Sequence, residues 1–386
     1  MRETKDKIKG FQSSKSDEFF MVNPSETTTE QIGFWDHISE YEVDPSWENG
    51  LSEEYLDYRK KFERAKNQTY TGNFPISIEI EASYYCNLKC PFCAREANAG
   101  DRDVGHMSAD LWKKILDESR EKGLKAILMD HEGESLMNPR FFQMVEEAKE
   151  AGIIDIWLHT NANLLSPEIS ERLIDSGITK INFSIDATTE ETYAKLRVGG
   201  DFKKVVKNVK DFLKIKNNKK AFYLRCRVSF VSQEENRHEK KDFFEFWKNQ
   251  KGINVITFQN LIDVSAFEKP DEDRGASEKE LEKKYADAEP FYCTQPWDMN
   301  VIDIDGNVMP CGQPVREHTK EFILGNLNNG DTIESCTSSD KMKTLRSIHQ
   351  KGEWYKNPMC RLCIKAIRGS DSNSSLIPKN NSPHPA

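Results

Sequence analysis

Three cysteines lie within the eight-residue stretch CNLKCPFC, at Cys86, Cys90 and Cys93. The surrounding sequence offers no fourth cysteine, although a structural zinc site is normally closed by four ligands. Three thiolates can instead hold three irons of a [4Fe–4S] cluster, which leaves the fourth iron open to a ligand that the protein does not supply. A zinc ion on this loop would also keep an open position, so the number of thiols alone does not identify the metal.

A second group of cysteines lies near the C-terminus. Its members are Cys293, Cys311, Cys360 and Cys363. Four thiolates can fully coordinate either one [4Fe–4S] cluster or one structural zinc ion, and the spacing fits both. Two more cysteines, Cys226 and Cys336, lie outside both groups.

The composition describes a polar, mildly acidic chain of 386 residues with a formal net charge of -9. Such a charge disfavours nucleic acid as the main partner, because phosphate binding needs a basic face. The sequence has no apolar run that could span a membrane and no apolar region of a secretory signal at its N-terminus. We therefore expect a cytoplasmic protein, whose cysteines serve as metal ligands or catalysts rather than as disulfides.

Six strand–helix units must position the first cysteine group. The strands are ISIEIEA, LKAILM, DIWLHT, KINFSI, AFYLRCRVSFV and INVITFQN, and amphipathic helices separate them. This alternation predicts an α/β protein with a parallel sheet, arranged as a partial (β/α)6 TIM-like barrel. In such barrels chemistry collects at the C-terminal ends of the strands, and the three cysteines directly follow the first strand.

The whole chain divides into four predicted regions. These are a polar N-terminal arm with a short helix (1–75), the barrel (76–285), a small cysteine-rich domain (286–368) and a disordered tail (369–386). The arm contains Trp35 and Trp47, which suggests that it packs against another part of the protein. In the small domain, VIDIDGNVMPCG predicts a β-hairpin with Asp305 and Gly306 in its turn.

The first cysteine motif directly follows strand one of a βα barrel and has an aromatic residue before its last cysteine, and it resembles the radical S-adenosylmethionine (SAM) superfamily. The residues that carry this resemblance are Cys86, Cys90, Phe92 and Cys93. The resemblance implies that SAM binds the open iron of a [4Fe–4S] cluster. Reductive cleavage of SAM would then give a 5′-deoxyadenosyl radical, which abstracts a substrate hydrogen. It further implies that Phe92 packs near the adenine and that a flavodoxin or ferredoxin supplies the electron.

A second family-like motif follows strand two. HEGES, at 131–135, resembles the Gly-Gly-Glu-Pro motif that meets the SAM amino group, mainly through its backbone. Gly133 and Glu134 match this motif, whereas Glu132 and Ser135 replace its first Gly and its Pro. These replacements affect the close backbone approach that Gly permits.

A third family-like segment follows strand four. SIDATTEETYAKLR is similar to the family's Ser-Ile-Asp…Arg segment. The similarity makes Ser184 and Arg197 the candidates for binding the SAM carboxylate, since the planar guanidinium of Arg can bind both carboxylate oxygens. The alternative is that Arg197 is a solvated charge at the end of a helix.

The second cysteine group also resembles a known module. Its context, CTQPW…DGNVMPCG…LGNL…NPMCRLC, is similar to the SPASM extension of radical SAM enzymes, or to its shortened form, twitch. Because no cysteine follows Cys363, the resemblance implies the short form, with one auxiliary [4Fe–4S] cluster on the four thiolates named above. Such a cluster serves electron transfer or structural support. Structural zinc is the alternative.

Four further residues are candidates for catalysis. On strand five, Arg225 and Arg227 alternate with Cys226, which predicts a polar barrel interior that holds an anionic or polyhydroxylated ligand. His159 ends strand three and can act as a base, and Cys336 can donate a hydrogen atom to a substrate radical. The alternatives are structural ion pairs for both arginines, a structural hydrogen bond for His159, and a buried apolar role for Cys336.

Three reactions are compatible with these residues. Dehydrogenation of a hydroxyl-bearing carbon, with the auxiliary cluster as electron acceptor, resembles 2-deoxy-scyllo-inosamine dehydrogenase and predicts a sugar-like or aminocyclitol substrate. Epimerisation needs a cysteine that returns a hydrogen. Modification of a ribosomal peptide ranks third, because the arm lacks the pattern of a winged-helix peptide-binding domain. A non-catalytic iron–sulfur electron carrier is the alternative from another class, but a carrier would not need HEGES or the SIDA…R segment.

Overall fold

The architecture comes from a computed structural model that describes residues 32–33, 38–48, 51–97, 103–262, 271–288, 291–312 and 322–371. The strands are β1 (Ile32–Gly33), β2 (Ile38–Glu42), β3 (Ser77–Ile80), β4 (Ala126–Met129), β5 (Asp155–Thr160), β6 (Lys180–Ser184), β7 (Arg225–Ser232), β8 (Val255–Asn260), β9 (Phe291–Tyr292), β10 (Met299–Ile302), β11 (Asn307–Met309) and β12 (Gly325–Asn326). The helices are α1 (Glu53–Lys66), α2 (Ala94–Ala97), α3 (Ala109–Lys122), α4 (Phe141–Glu150), α5 (Pro167–Ser176), α6 (Glu190–Leu196), α7 (Phe202–Asn218), α8 (Lys240–Lys248), α9 (Glu278–Lys284), α10 (Gln295–Asp298), α11 (Ile333–Thr337), α12 (Asp340–Gln350) and α13 (Pro358–Asp371).

Strands β3 to β8 lie side by side in chain order and are parallel, which confirms the predicted (β/α)6 partial barrel. At one edge, β10 pairs parallel with β3 and continues into the antiparallel strands β11 and β12. At the other edge, β2 pairs antiparallel with β8. Segments outside the predicted barrel therefore extend both edges, and the result is an open sheet of ten strands among the described residues.

Local sequence signals set several helix ends. Ser108 caps α3 by accepting a hydrogen bond from the Leu111 backbone, and Gly123 ends this helix in the left-handed conformation. Ser166 caps α5, with Pro167 at its first position. Because these ends are fixed locally, each helix returns along the outer face of the sheet at a defined point.

A turn precedes the start of α4. Pro139 lies directly before this helix, which begins at Phe141 with Arg140 at its N-cap position. The Asn138 side-chain oxygen accepts a hydrogen bond from the Arg140 backbone at 2.8 Å, which forms an Asx turn ahead of the helix.

Alternation along the strands separates two environments. One set of positions, with Ile78, Ile127 and Ile156 among them, belongs to the main hydrophobic core between sheet and helices. The alternate positions face the barrel interior and include charged side chains, as at Glu79 on β3 and His159 on β5. The predicted polar interior is therefore present.

Helix α1 covers the end of the barrel at which the strands begin. The Tyr58 hydroxyl donates a hydrogen bond to the buried Asp155 carboxylate, which also pairs with Lys180 (Nζ–Oδ2 2.9 Å). Lys180 Nζ lies 3.9 Å from the centroid of the Trp157 ring. Because this end is filled by aromatic rings and an ion pair, a ligand has to approach from the end where the strands stop.

The N-terminal arm packs against the barrel, as its tryptophans suggest. Trp47 lies in a short 3₁₀ helix, Pro45–Glu48, and donates a hydrogen bond to Glu42 (Nε1–Oε1 3.1 Å). Its ring centroid lies 4.9 Å from the guanidinium carbon of Arg225. The other tryptophan, Trp35, lies outside the described residues.

The C-terminal region builds a second, smaller core around α12 and α13. Met342, Leu345 and Trp354 are buried in it. Helix α13 continues to Asp371 with Ile367 fully buried, so the predicted disordered tail does not begin at residue 369. The rest of that predicted tail, 372–386, lies outside the described residues. Within the described part of the chain, no helix is both long and apolar enough to cross a membrane.

Candidate active site and auxiliary thiol site

The loop after β3 brings the three cysteines of the first motif together. Cys90 is buried, whereas Cys86 and Cys93 are half-buried. Burial raises the pKa of Cys90 to about 11; the neighbouring thiols add to this rise, and the Arg197 guanidinium opposes it. Three thiols that feel one another's charge form a compact donor set, which fits an iron–sulfur cluster with one open iron.

Several N–H groups lie close to these sulfur atoms. The backbone N–H of Leu88 donates a hydrogen bond to Cys86 Sγ at 3.4 Å, and the side-chain amide nitrogen of Asn161 lies 4.0 Å from the same sulfur. Arg197 Nη1 lies 3.9 Å from Cys90 Sγ. Such donors stabilise the thiolate, which is the form of cysteine that binds metal.

Arg197 is held at this site by a buried partner. Its Nε donates a hydrogen bond to Asp186 Oδ2 at 2.7 Å, and Asp186 is fully buried. The guanidinium carbon lies 5.4 Å from the Phe92 ring centroid, so both predicted SAM-binding side chains are neighbours. The interpretation of Arg197 as a solvated charge is therefore wrong, since its side chain is only 11% exposed. Its contact with a SAM carboxylate stays a prediction.

The HEGES loop lies directly against the cysteine loop. Gly133 has a φ of 88°, and a Cβ at this position would lie 2.0 Å from the Ser83 carbonyl oxygen. The backbone N–H of Glu134 donates a hydrogen bond to the Tyr85 carbonyl at 2.8 Å. The close backbone approach is thus retained at Gly133, although Glu132 stands where the family motif has its first Gly.

The Glu134 side chain ties this loop to the end of β5. Its carboxylate accepts hydrogen bonds from the Thr160 hydroxyl and from the Asn161 backbone, both at 2.8 Å. Burial raises the pKa of Glu134 to about 7, although these hydrogen bonds oppose the rise. Ser184, the other predicted SAM contact, lies at the end of β6 and accepts a hydrogen bond from Asn182 Nδ2 at 3.4 Å.

In the barrel interior, the His159 ring lies between an acidic and a basic side chain. Its Nδ1 is hydrogen-bonded to Asp130, and its Nε2 lies 3.0 Å from Arg227 Nη2. Because a guanidinium can only donate, Nε2 must accept, and Nδ1–H donates to Asp130. Burial raises the pKa of Asp130, but its contact with His159 and the charges of His131 and Arg227 outweigh this effect and leave the pKa lowered. Asp130 was missed in the sequence, although it directly follows β4, where barrel sites collect.

The two arginines of β7 share the interior face as predicted, and both are paired. Glu40 on β2 accepts from Arg227 Nη1 at 3.1 Å and lies 3.7 Å from Arg225 Nη2. This confirms ion pairing for both arginines, with a partner from the N-terminal arm. Only Arg227 also reaches His159, whereas Arg225 lies against Trp47 at the covered end. Nothing in the sequence identifies Glu40 as part of this site.

The two unassigned cysteines lie away from the barrel interior. Cys336 on α11 is buried in the core between sheet and helices, where burial raises its pKa to about 11. Cys226 belongs to the same core. All nine cysteines of the chain are among the described residues, so no thiol remains that faces the interior outside the two ligand groups. This placement favours the buried apolar role of Cys336 over the hydrogen-donor role.

A buried ion pair lies between the two thiol groups. His131 Nδ1 lies 3.0 Å from Glu79 Oε1 on β3. Burial lowers the pKa of His131, but Glu79 and the nearby acids Glu81 and Glu132 outweigh this effect and raise it to about 10. A Cβ on Gly312, the residue after Cys311, would lie 3.2 Å from Glu79 Oε2. The wall of the barrel thus lies next to the residue that follows Cys311.

The four C-terminal cysteines surround one largely apolar cavity. The other lining residues are Phe291, Gln295, Pro296, Phe322, Leu345, His349, Met359 and Ile364. Burial raises the pKa of Cys293 well above its usual range, and the charges of the other three thiols raise it further. Four thiols around one cavity can provide all the protein ligands of a [4Fe–4S] cluster.

His349 on α12 belongs to this cavity and was missed in the sequence. Its Nε2 lies 3.3 Å from Cys360 Sγ, and the residue is only 5% exposed. Burial lowers the pKa of His349 to about 4, so its ring is neutral near pH 7. No sequence signal connects this histidine with the CRLC motif.

Comparisons with known proteins agree with both sites. The profile of the radical SAM superfamily matches residues 80–246, and that of SPASM, an iron–sulfur cluster-binding domain, matches residues 293–364. A probable GTP 3′,8-cyclase of Methanocaldococcus jannaschii is 28% identical over 183 residues, 47% of this chain. The chain spans little more than half, 58%, of the length of that relative. A probable GTP 3′,8-cyclase of Methanococcus vannielii is 27% identical over 304 residues, which are 75% of this chain and 96% of that protein.

Among solved structures, native anSMEcpe with bound AdoMet is similar in fold. It is 17% identical, with a TM-score of 0.53, and the match covers 77% of this chain and 96% of that one. At this identity the similarity concerns the fold alone.

Proposed function

Because the chain belongs to the radical SAM superfamily and carries a C-terminal iron–sulfur cluster-binding domain, we propose that it dehydrogenates a hydroxyl-bearing carbon of a sugar-like or aminocyclitol small molecule. The enzyme binds SAM at a [4Fe–4S] cluster and carries an auxiliary cluster. We assign the SAM-binding cluster to Cys86, Cys90 and Cys93. The auxiliary cluster is assigned to Cys293, Cys311, Cys360 and Cys363.

When bound, SAM and its cluster supply a radical that abstracts a hydrogen atom, and the auxiliary cluster supplies an acceptor for one electron. The substrate carbon loses its hydrogen as an atom, and its hydroxyl group loses a proton. The one electron that remains leaves the substrate, so that the alcohol becomes a carbonyl. The protein itself must therefore offer a proton acceptor beside this hydroxyl.

The observation that carries the proposal is the hydrogen-bonded row Asp130–His159–Arg227 in the barrel interior. A substrate hydroxyl that takes a place between His159 and Arg227 can give its proton to the free electron pair of Nε2. Asp130 then stabilises the imidazolium that forms. Arg227 can donate a hydrogen bond to the same oxygen as it becomes a carbonyl, and Glu40 fixes its guanidinium from the arm.

Two alternatives rank below dehydrogenation. Thiol-dependent epimerisation lacks a donor, because Cys226 and Cys336 both lie in the core outside the barrel interior. A ribosomal peptide as substrate is disfavoured by the described part of the arm, which supplies β2 and α1 to the barrel rather than a separate peptide-binding module.

The test uses anaerobically reconstituted protein, reduced with dithionite as a substitute for flavodoxin or ferredoxin. The probes are 2-deoxy-scyllo-inosamine, glucosamine, UDP-N-acetylglucosamine and a cysteine-containing peptide, each with SAM in D₂O. We expect 5′-deoxyadenosine and one polyol product that is lighter by two hydrogen atoms and free of carbon-bound deuterium. Deuterium on a product carbon would indicate epimerisation instead, and a modified peptide would overturn the small-molecule class.

The proton acceptor is tested by His159→Gln, which keeps a polar side chain but removes the basic nitrogen. Product formation should slow by about 100-fold, whereas 5′-deoxyadenosine formation without substrate should stay near the wild-type rate. His238→Gln is the matched control, because that side chain is 69% exposed. A wild-type rate of product formation in H159Q would remove His159 from the reaction.

A further inference from the structure

A single neutral histidine touches a thiol of the auxiliary site. We propose that His349 is a positioning residue for the auxiliary cluster: its Nε2–H donates a hydrogen bond to the cluster-bound sulfur of Cys360 and raises the reduction potential of that cluster. The inference rests on the proposed function in one respect: the raised reduction potential would help the auxiliary cluster to take up the electron that leaves the substrate.

The contact is directional and held by a rigid element. His349 Nε2 and Cys360 Sγ are 3.3 Å apart, within hydrogen-bonding distance for a sulfur acceptor. His349 lies four residues after Leu345 on α12, so both side chains project from one helix face into the cavity. Ser339 caps this helix, and Met342 and Leu345 anchor it in the small core. The ring therefore has little freedom to leave the sulfur.

The tautomer of His349 follows from what surrounds its two nitrogens. In the described part of the chain, Nδ1 is buried and has no hydrogen-bond partner. A thiolate that binds iron carries no proton, so Cys360 Sγ can then only accept. The neutral ring satisfies this sulfur when its proton is on Nε2.

The rest of the cavity makes this hydrogen bond effective. The lining is mostly aromatic and aliphatic, with Phe291, Phe322 and Met359 among its members. Of the other polar lining, Gln295 accepts the Gly312 backbone N–H with its Oε1 at 3.3 Å, and its own backbone N–H is hydrogen-bonded to Cys293. In such low-dielectric surroundings one hydrogen bond to sulfur acts with little screening.

The direction of the effect follows from charge. Reduction adds one negative charge to the cluster and its thiolates, so the sulfur becomes a stronger acceptor in the reduced state. A hydrogen bond that strengthens on reduction stabilises the reduced form and raises the reduction potential. His349 thereby makes the auxiliary cluster a better electron acceptor.

The experiment isolates the auxiliary cluster in the full-length chain by Cys86→Ala, Cys90→Ala and Cys93→Ala together. His349→Phe keeps a ring without the N–H donor, and His349→Gln keeps an N–H donor. In redox titrations followed by electron paramagnetic resonance, His349→Phe should shift the midpoint potential to more negative values. His349→Gln should lie closer to wild type. No SAM or substrate is needed, so failure of this inference and failure of the proposed reaction can be told apart.

A spectroscopic measurement covers the case in which a variant loses its cluster. With ¹⁵N-labelled histidine, pulsed electron paramagnetic resonance of the reduced cluster should detect a nitrogen coupling in the protein that retains His349. Absence of that coupling overturns the hydrogen bond. An unchanged midpoint potential in H349F at unchanged iron content overturns the effect on the potential.

Discussion

Around Cys86, Cys90 and Cys93 the polar groups include a guanidinium, an amide and backbone N–H groups, whereas the four C-terminal thiols are enclosed mainly by apolar side chains, with Gln295 and the neutral His349 as polar members. The first surroundings offer cationic and polar contacts to an incoming charged ligand. The second surroundings exclude water and leave little for a ligand to bind. The same donor atom thus serves an open site in one region and a closed site in the other.

Two buried histidines show the same difference between polar and apolar surroundings. Burial lowers the pKa of both rings, but acidic neighbours outweigh it at His131 and raise that pKa to about 10. At His349 no acid among the described residues opposes burial, and the pKa falls to about 4. The rim of the barrel therefore holds a fixed positive charge next to Glu79, while the auxiliary cavity holds a neutral donor.

The largest expected effect separates the two thiol groups directly. Cys90→Ala should lower 5′-deoxyadenosine formation by more than about 100-fold, because the proposed SAM-binding cluster loses a ligand. Cys360→Ala should leave uncoupled 5′-deoxyadenosine formation largely intact and abolish only the turnover of substrate. Both variants should hold about four irons per chain instead of about eight.

The measurements are iron content and the rate of 5′-deoxyadenosine release, with Cys226→Ala as the control that leaves both clusters in place. A Cys90→Ala variant that still cleaves SAM would reverse the assignment of the two sites. A C360A variant that has lost SAM cleavage would mean that the two regions are not independent.

The next effect is a pH dependence that only the barrel histidine produces. The folded protein holds a proton on His131 up to about pH 10, whereas the unfolded chain releases it near the usual pKa of 6.5. The stabilisation from this group is therefore full below pH 6.5 and is lost as the pH rises toward 10. His131→Asn removes this loss, which is about 3 kcal/mol of unfolding free energy between pH 7 and pH 9.5. Asn is the chosen replacement because His131 has a φ of 79°, which Asn tolerates.

Urea unfolding of the metal-free protein at pH 7 and at pH 9.5 measures this difference, with the exposed His238→Asn as the control. The free energy of unfolding should fall with pH in wild type and in H238N, and the fall should be smaller in H131N. An equal fall in all three proteins between these two pH values would mean that His131 is not held in its protonated form by Glu79.

Much of this architecture was readable from local patterns. The six barrel strands, the caps at Ser108 and Ser166 and both thiol groups follow from alternation, capping residues and cysteine spacing. These signals are local in sequence, and each is decided within a few residues. The same holds for Gly133, whose neighbours on the cysteine loop require a residue without a side chain.

The site residues that could not be predicted from the sequence depend on contacts between distant segments. Glu40 enters the site only because β2 adds to the edge strand β8, and the arm carries no motif that announces this pairing. His349 reaches Cys360 only through the packing of α12 against α13. Cys336 illustrates the opposite error, because a lone cysteine in the sequence does not reveal on which side of the sheet it will lie.

The smallest expected effect concerns Arg197, the cation next to the three-thiol site. Arg197→Lys keeps the positive charge near Cys90 but removes the planar fork that can bind both oxygens of a carboxylate. We expect SAM affinity to fall by about tenfold, equivalent to about 1.4 kcal/mol. The measurements are the dissociation constant for SAM by calorimetry and the KM for SAM in 5′-deoxyadenosine formation.

Arg172→Lys is the matched control, because its guanidinium also lies over a phenylalanine ring, Phe142, but on the outer helices. That change should leave SAM affinity unaltered. If R197K binds SAM as tightly as wild type but unfolds more easily, Arg197 acts only as the partner of Asp186. The open site would then differ from the closed one by its missing thiol alone, and not by a cation that recognises SAM.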